Sequence, residues 1–303
     1  MKEFKIIEEF FGKNTNNLDD CFFFDDKYLI TTDTITENTH FKHEWSSARD
    51  IADKLVEVNV SDIASSGGLP LLAFLNLGLS NFSEKEVWLM QFLTYFKKKL
   101  KFYKIKLAGG DTYKSSETNL TLTLFGTTQN PVFRNTGNPN EFLYITGSLG
   151  LSYLGYSYLK DNIKLPQVLK KQAIKKHLRP ESRLSISKEL TRKYKISAMM
   201  DITDGLVQDS EKLALASNLE IHIDINRLPF IKEFTKYLSI DEVISSGEEL
   251  ELLFLSKEKI SPIKNCLITC IGKTAGITKK SKIVFTLDGK VYKPKNRGFL
   301  HFK

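Results

Sequence analysis

Carboxylates interrupt several apolar segments of this 303-residue chain, at places where a carboxylate is costly. The segment "TTDTITENTHF" (31–41) follows the apolar run Tyr28-Leu29-Ile30 and therefore predicts a strand that carries Asp33. Strands disfavour aspartate, and a buried carboxylate without a partner costs much free energy. Asp33 therefore requires water, a partner side chain or a metal ion.

Other aspartates lie at similar breaks. They are the pair Asp19-Asp20, Asp62 on the predicted helix "EVNVSDIASSGG", Asp111 after "LAGG", and Asp201 and Asp204 in "MMDITDGLVQD". Each has an ordinary explanation by itself: an exposed helical acid for Asp62, a turn for Asp111, and a helix N-cap for Asp204. One cap leaves Asp201 unexplained. Scattered carboxylates with few catalytic residues of other kinds indicate oxygen ligands for hard cations, and Mg²⁺ commonly acts beside substrate phosphates.

The composition is that of an ordinary globular protein. The chain is 41% hydrophobic and has a formal charge of +8. Its lysines are spread over helical segments such as 96–104 and 169–179, which favours solvated helix faces over nucleic-acid binding. The apolar runs are shorter than the roughly 20 residues of a membrane span, and residues 1–13 carry acids where a signal peptide is apolar. We therefore expect a cytoplasmic protein that binds neither nucleic acid nor membrane.

The predicted elements mix helices and strands in both halves of the chain. Residues 84–102 have helical periodicity behind a capping box formed by Ser83 and Glu86. In "KIVFTLDGKVY" (282–292), Asp288-Gly289 predicts a hairpin with a type I′ turn. Residues 129–140 are rich in Pro, Gly and Asn and are the best domain boundary. We predict two domains, residues 1–135 and 136–303.

Nine segments, in this order, resemble the thiamine-monophosphate kinase family of the aminoimidazole-ribonucleotide synthetase-like superfamily. They are "DD" (19–20), "TTDTITENTHF" (31–41), "NVSDIASSGGLP" (59–70), "LAGGDT" (107–112), "FRNTG" (133–137), "HLRPESR" (177–183), "DITDGL" (201–206), "SGEELEL" (246–252) and "GFLHF" (298–302). No single segment is decisive, but nine in register are highly specific.

The resemblance implies a mixed α/β homodimer with the two-domain fold of that superfamily. Its N-terminal domain would bind ATP and magnesium and form the sheet of the dimer interface, and its C-terminal domain would be α/β. Position by position, the resemblance implies ligands for several Mg²⁺ ions at Asp20, Thr31, Thr32, Asp33, Asp62, Asp111, Asp201 and Asp204. It implies ATP contacts at Gly110, Asp111, Arg134 and Thr203, and contacts to thiamine monophosphate at His40, Glu248 and Phe299.

Three positions depart from the family pattern. The family usually has a glycine-containing stretch before the paired aspartates, where this chain has "NTNNLDD" (14–20). It has Gly-Asp in place of Asn140-Glu141, and Gly-Glu-Asp in place of Gly247-Glu248-Glu249. None of these departures removes a proposed metal ligand.

The implied reaction transfers the γ-phosphoryl group of ATP to thiamine monophosphate, giving thiamine diphosphate and ADP. The acceptor is a phosphate whose second pKa is ~6, so it is already ionised at neutral pH and needs no general base. Repulsion between two anionic substrates is the difficulty, which Mg²⁺ on fixed carboxylates would relieve. The alternatives are another ATP-dependent enzyme of the superfamily with a different small substrate, and a non-catalytic nucleotide-binding partner protein.

Overall fold

The computed structural model describes residues 19–25, 27–278 and 282–299, together with Glu9. The described chain forms two units, each discontinuous in sequence. The first, named here the five-stranded unit, comprises residues 21–131 and 155–184. The second, the seven-stranded unit, comprises Asp19 and Asp20, residues 132–154 and the described residues after 184. The division into residues 1–135 and 136–303 stays a prediction.

The five-stranded unit is built on one mixed sheet. Its elements are β1 (Phe22–Phe24), β2 (Tyr28–Thr36), α1 (Ala48–Ser65), β3 (Leu69–Leu79), α2 (Glu86–Tyr103), β4 (Lys106–Lys114) and β5 (Asn119–Thr127). The strand order is β1-β2-β5-β3-β4, and every pairing is antiparallel except that of β3 with β4. Helix α2 is the crossover that a parallel pair requires.

The two faces of this sheet differ in character. Leu120, Leu122 and Leu124 of β5 are fully buried on the face that packs on α1. The alternate residues of the strands lie on the other face, named here the open face, where the hydroxyl groups of Thr32 and Thr123 are 2.9 Å apart. Strand alternation therefore places the side chains of successive β2 residues on opposite faces of the sheet.

The seven-stranded unit contains the remaining sheet. The elements in chain order are β6 (Phe142–Thr146), α3 (Leu151–Asp161), α4 (Gln167–Leu178), α5 (Leu184–Lys193), β7 (Ala198–Ile202), α6 (Leu206–Ser217), β8 (Leu219–Asp224), a 3₁₀ turn (Ile225–Arg227), α7 (Ile231–Phe234), α8 (Ile240–Ile244), β9 (Glu251–Ser256), β10 (Ile268–Ile277), β11 (Lys282–Leu287) and β12 (Lys290–Tyr292). Of these, α4 and residues 155–161 of α3 belong to the five-stranded unit. The strand order is β12-β11-β8-β10-β6-β9-β7.

The mixed α/β fold is confirmed, with one local correction. Helix α2 forms where predicted, but the predicted capping box is wrong. The N-cap is Lys85, which makes no side-chain cap bond. Ser83 does not cap the helix, because its buried hydroxyl is bonded to Thr118 Oγ1 at 2.9 Å. Asp288 and Gly289 have φ values of 51° and 74°, as a type I′ turn requires. Within the described ranges, no helix combines the length and the apolar character needed to cross a membrane.

Candidate functional site

Three candidate ligands of the five-stranded unit, Thr31, Asp33 and Asp62, lie where β2 packs on α1. Thr31 Oγ1 donates a hydrogen bond to Asp62 Oδ2 at 2.6 Å, and the backbone N–H of Asp33 donates to Asn59 Oδ1 at 3.1 Å. Asn59 is fully buried and its Nδ2 donates to the carbonyl of Leu55 at 2.9 Å. Asn59 therefore fixes the part of β2 that carries Asp33 against the helix that carries Asp62.

The position of Asp62 in its helix is electrostatically unfavourable. It lies in the last turn of α1, which contains no basic residue, and it is buried. The carbonyl groups at a helix C-terminus carry partial negative charge, so a carboxylate there is repelled. The Thr31 hydroxyl offsets part of this cost, and a bound cation would offset more.

Gly110 and Asp111 lie on the edge strand β4. A Cβ atom at Gly110 would lie 1.8 Å from the carbonyl oxygen of Leu75, so only glycine allows the close approach of β4 to β3. The next residue, Asp111, pairs in register with Asn76, and its Oδ1 accepts the Thr112 N–H at 2.8 Å. Asp111 is exposed.

The side chains of Asp111 and Thr32 lie on the open face of the sheet. Register and alternation place Thr31 and Asp33 on the opposite face, towards α1. One copy of this unit therefore does not bring all of its candidate ligands together.

His40 is held by its own loop after β2. Its Nδ1 accepts the backbone N–H of Thr36 at 3.0 Å, and its backbone N–H donates to the Thr36 carbonyl at 2.9 Å. Lys54 Nζ donates to the His40 carbonyl at 3.1 Å. Because Nδ1 is an acceptor, the proton of the neutral ring is on Nε2, which makes this edge of the ring a hydrogen-bond donor.

In the seven-stranded unit, Arg134 is surrounded by acids. Its buried guanidinium forms an ion pair with Asp20, and its backbone N–H donates to Asp19 Oδ1 at 2.7 Å. Burial raises the pKa of Asp19 to about 6, and Arg134 opposes that rise. Asp201 on β7 is buried, and one of its carboxylate oxygens lies within 4.8 Å of one from Asp20. These two carboxylates can share a cation.

The loop that carries Asp204 is held by a residue that sequence reasoning missed. Asp209 Oδ2 accepts the backbone N–H groups of Thr203, Asp204 and Gly205 at 3.0, 3.0 and 3.1 Å. The N-cap of α6 is Gly205, so Asp204 is not the cap, and the carboxylate that organises this turn lies inside the helix. The available signal was an aspartate in the first turn after the strand-to-helix break.

Two further predicted residues meet this loop through their backbones. The N–H of Glu248 donates to the Thr203 carbonyl at 2.7 Å, and the N–H of Phe299 donates to the Asp204 carbonyl at 3.0 Å. A Cβ at Gly298, where φ is +125°, would lie 2.1 Å from that carbonyl oxygen. The structure therefore brings together a predicted metal ligand, a predicted ATP contact and two predicted acceptor contacts, with the Phe299 ring exposed.

Comparisons with known proteins agree with this architecture. Residues 18–129 match the model of the AIR synthase related protein N-terminal domain, and residues 138–260 match that of the C-terminal domain. The thiamine-monophosphate kinase of Leptospira interrogans serogroup Icterohaemorrhagiae serovar Lai (strain 56601) is 46% identical over 303 residues, which cover 100% of this chain and 98% of the relative. That of Buchnera aphidicola subsp. Schizaphis graminum (strain Sg) is 33% identical, with 99% and 98% covered.

A solved structure, AaThiL complexed with AMPPCP and TMP, superposes with a TM-score of 0.84 at 30% identity, covering 100% of this chain and 98% of that one. The chain therefore belongs to the AIR synthase related family and, within it, to the thiamine-monophosphate kinases.

Proposed function

We propose that this chain catalyses direct transfer of the γ-phosphoryl group of ATP to thiamine monophosphate. The bond from the γ-phosphorus to its bridging oxygen breaks as an acceptor phosphate oxygen bonds to that phosphorus, and the products are ADP and thiamine diphosphate. The observation that carries the proposal is the whole-length similarity to thiamine-monophosphate kinases, including AaThiL complexed with AMPPCP and TMP. The chain is an ATP-dependent phosphotransferase.

The proposed acceptor needs orientation rather than deprotonation. Its phosphate oxygen is ionised at neutral pH, so a proton acceptor adds nothing to the attack. His40 suits orientation, because its Nδ1 is engaged by Thr36 and its Nε2–H can donate to an anionic oxygen. Glu248 and Phe299 complete the proposed acceptor set, and the exposed Phe299 ring can pack on a cationic heterocycle, which is worth about 1 kcal/mol.

The proposed metal is magnesium, bound as several Mg²⁺ ions. The candidate donors are all oxygens, from the carboxylates of Asp20, Asp33, Asp62, Asp111, Asp201 and Asp204 and from Thr31 and Thr32, which fits a hard cation. When bound, Mg²⁺ would neutralise the charge that two anionic substrates bring together. Gly110, Asp111, Arg134 and Thr203 are the proposed ATP contacts, and Gly110 offers backbone without a side chain to block close approach.

The experiment supplies ATP and Mg²⁺ with either thiamine monophosphate or thiamine, and follows ADP and the phosphorylated product. We expect turnover with thiamine monophosphate and almost none with thiamine. His40→Asn should raise the KM for the acceptor and keep most of kcat. His222→Asn, at a partly exposed histidine whose Nε2 lies 2.7 Å from Glu220 Oε1, should change neither. Efficient phosphorylation of thiamine, or loss of turnover in His40→Asn at saturating acceptor, would show that a base operates.

The open face of the five-stranded sheet supports a homodimer. Phe74 lies on this face, 38% exposed, and its ring packs on Phe125 with centroids 5.9 Å apart. Phe74→Asp should convert a dimer to a monomer in light scattering, whereas Val87→Asp, at an exposed position of α2, should not. A wild-type monomer at micromolar concentration would refute this assembly. The cytoplasmic location stays a prediction from the sequence.

A further inference from the structure

Two carboxylates of the seven-stranded unit share one lysine. Lys212 Nζ lies 2.6 Å from Asp204 Oδ2 and 2.8 Å from Asp209 Oδ1. The Lys212 side chain is 18% exposed and that of Asp209 is fully buried. Two carboxylates at these distances favour the charged ammonium form, so the side chain is a cation.

This arrangement differs from the surface ion pairs of the same unit. Lys193 on α5, for example, lies 3.2 Å from Glu189 with 47% of its side chain exposed. Such pairs contribute little, because water and salt screen them. Lys212 instead lies between one acid that shapes the loop at 203–205 and another, Asp204, that is a proposed metal ligand.

Asp204 has one neutral and one charged hydrogen-bond donor, so the orientation of its carboxylate does not depend on Lys212 alone. Gln208 Nε2 donates to the same Oδ2 at 2.7 Å, so a neutral donor also holds this carboxylate. Lys212 adds a positive charge next to it. A metal ion on Asp204 would lie close to that charge, and like charges at such distances repel strongly where water is partly excluded. Neutralising Lys212 would leave Gln208 to orient the carboxylate and would remove the repulsion.

We propose that Lys212 is a positioning residue that acts as the internal counter-ion of Asp204 and Asp209 and lowers the affinity of Asp204 for its metal ion. In the metal-free chain it holds the two acids, and a divalent cation binds Asp204 in competition with it. The inference rests on the proposed function, in which Asp204 is a magnesium ligand. It predicts a gain of metal affinity on mutation, which loss of a merely structural contact would not produce.

The test titrates Mn²⁺ alone into the full chain and measures free Mn²⁺ by its electron paramagnetic resonance signal. We compare wild type with Lys212→Met, Lys212→Gln, Lys212→Arg and the matched control Lys193→Met, with Asp204→Asn as the reference for site loss. Lys212→Gln keeps a hydrogen-bond donor and serves if the methionine variant does not fold. Thermal unfolding with and without Mn²⁺ accompanies each titration.

Lys212→Met and Lys212→Gln should bind Mn²⁺ about tenfold more tightly than wild type, as expected for loss of one neighbouring like charge. Lys212→Arg and Lys193→Met should match wild type. The neutral variants should also melt at lower temperature without metal and regain part of the difference with Mn²⁺. Equal or weaker binding by a folded neutral variant overturns the inference. Identical binding by wild type and Asp204→Asn overturns it too, and shows in addition that the metal assignment of Asp204 is wrong.

Discussion

Asp209→Asn is the sharpest test of how the loop at 203–205 is held. The carboxylate is fully buried, accepts three backbone N–H groups at 3.0–3.1 Å and forms an ion pair with Lys212 at 2.8 Å. Hydrogen bonds to a charged group contribute roughly 1.5–3 kcal/mol each, and breaking a buried ion pair costs about 3–5 kcal/mol. The amide keeps one oxygen as an acceptor, so part of the bonding survives. We expect the free energy of unfolding to fall by about 3 kcal/mol.

For folded units of this general size, a loss of 1 kcal/mol lowers Tm by roughly 2–4 °C, so Asp209→Asn should lower Tm by about 6–12 °C. Differential scanning calorimetry measures this, with Glu211→Gln as the control, because Glu211 lies on the same helix and forms an exposed pair with Arg297 at 3.0 Å. The control should shift Tm by less than about 2 °C, as surface pairs do. Equal shifts in the two variants would refute the role assigned to Asp209.

Four further predictions use other parts of the chain. Asp111→Asn should lower kcat by about a hundredfold with little change in Tm, and near-normal turnover at saturating Mg²⁺ would exclude Asp111 as a ligand. Phe299→Ala should raise the KM for thiamine monophosphate more than that for ATP in steady-state kinetics. Burial lowers the pKa of His43, whose ring centroid lies 4.1 Å from that of Phe82. Unfolded chains therefore bind more protons than folded ones below about pH 6.5, and stability should fall as pH falls. Urea unfolding from pH 7 to 5 should show this slope in wild type and a smaller one in His43→Phe. Chelation with EDTA should abolish turnover but leave the chain folded by circular dichroism.

Local patterns predicted most elements because their signals are local. The strand-to-helix change at 198–217 follows from a short apolar run, a glycine and a helical period, and it forms as predicted. The cap of α2 was mispredicted because Ser83 bonds to Thr118, which lies 35 residues further along the chain. No local signal assigns residues 155–184 to the five-stranded unit.

The sequence suggests residue types for the candidate site but does not give their geometry. Asp33 and Asp111 both interrupt apolar strands, yet they lie on opposite faces of one sheet. The face of Asp111 depends on its pairing with Asn76, and β3 shifts register between Ala73 and Phe74. Such long-range strand pairings decide which carboxylates lie close together, and local sequence patterns do not predict these pairings.

Internal cations explain how the seven-stranded unit folds with so many acids. Arg134 pairs with Asp20, and Lys212 pairs with Asp204 and Asp209. A buried ion pair adds little net stability, but a buried carboxylate without one would cost several kcal/mol, so these cations are what permits the acids to be there before any metal binds. On the proposed function, Mg²⁺ would therefore enter a site whose charge is already partly balanced. On the proposed function, magnesium would be required for phosphoryl transfer rather than for folding, and its affinity would depend on how easily it displaces Arg134 and Lys212 from their carboxylates.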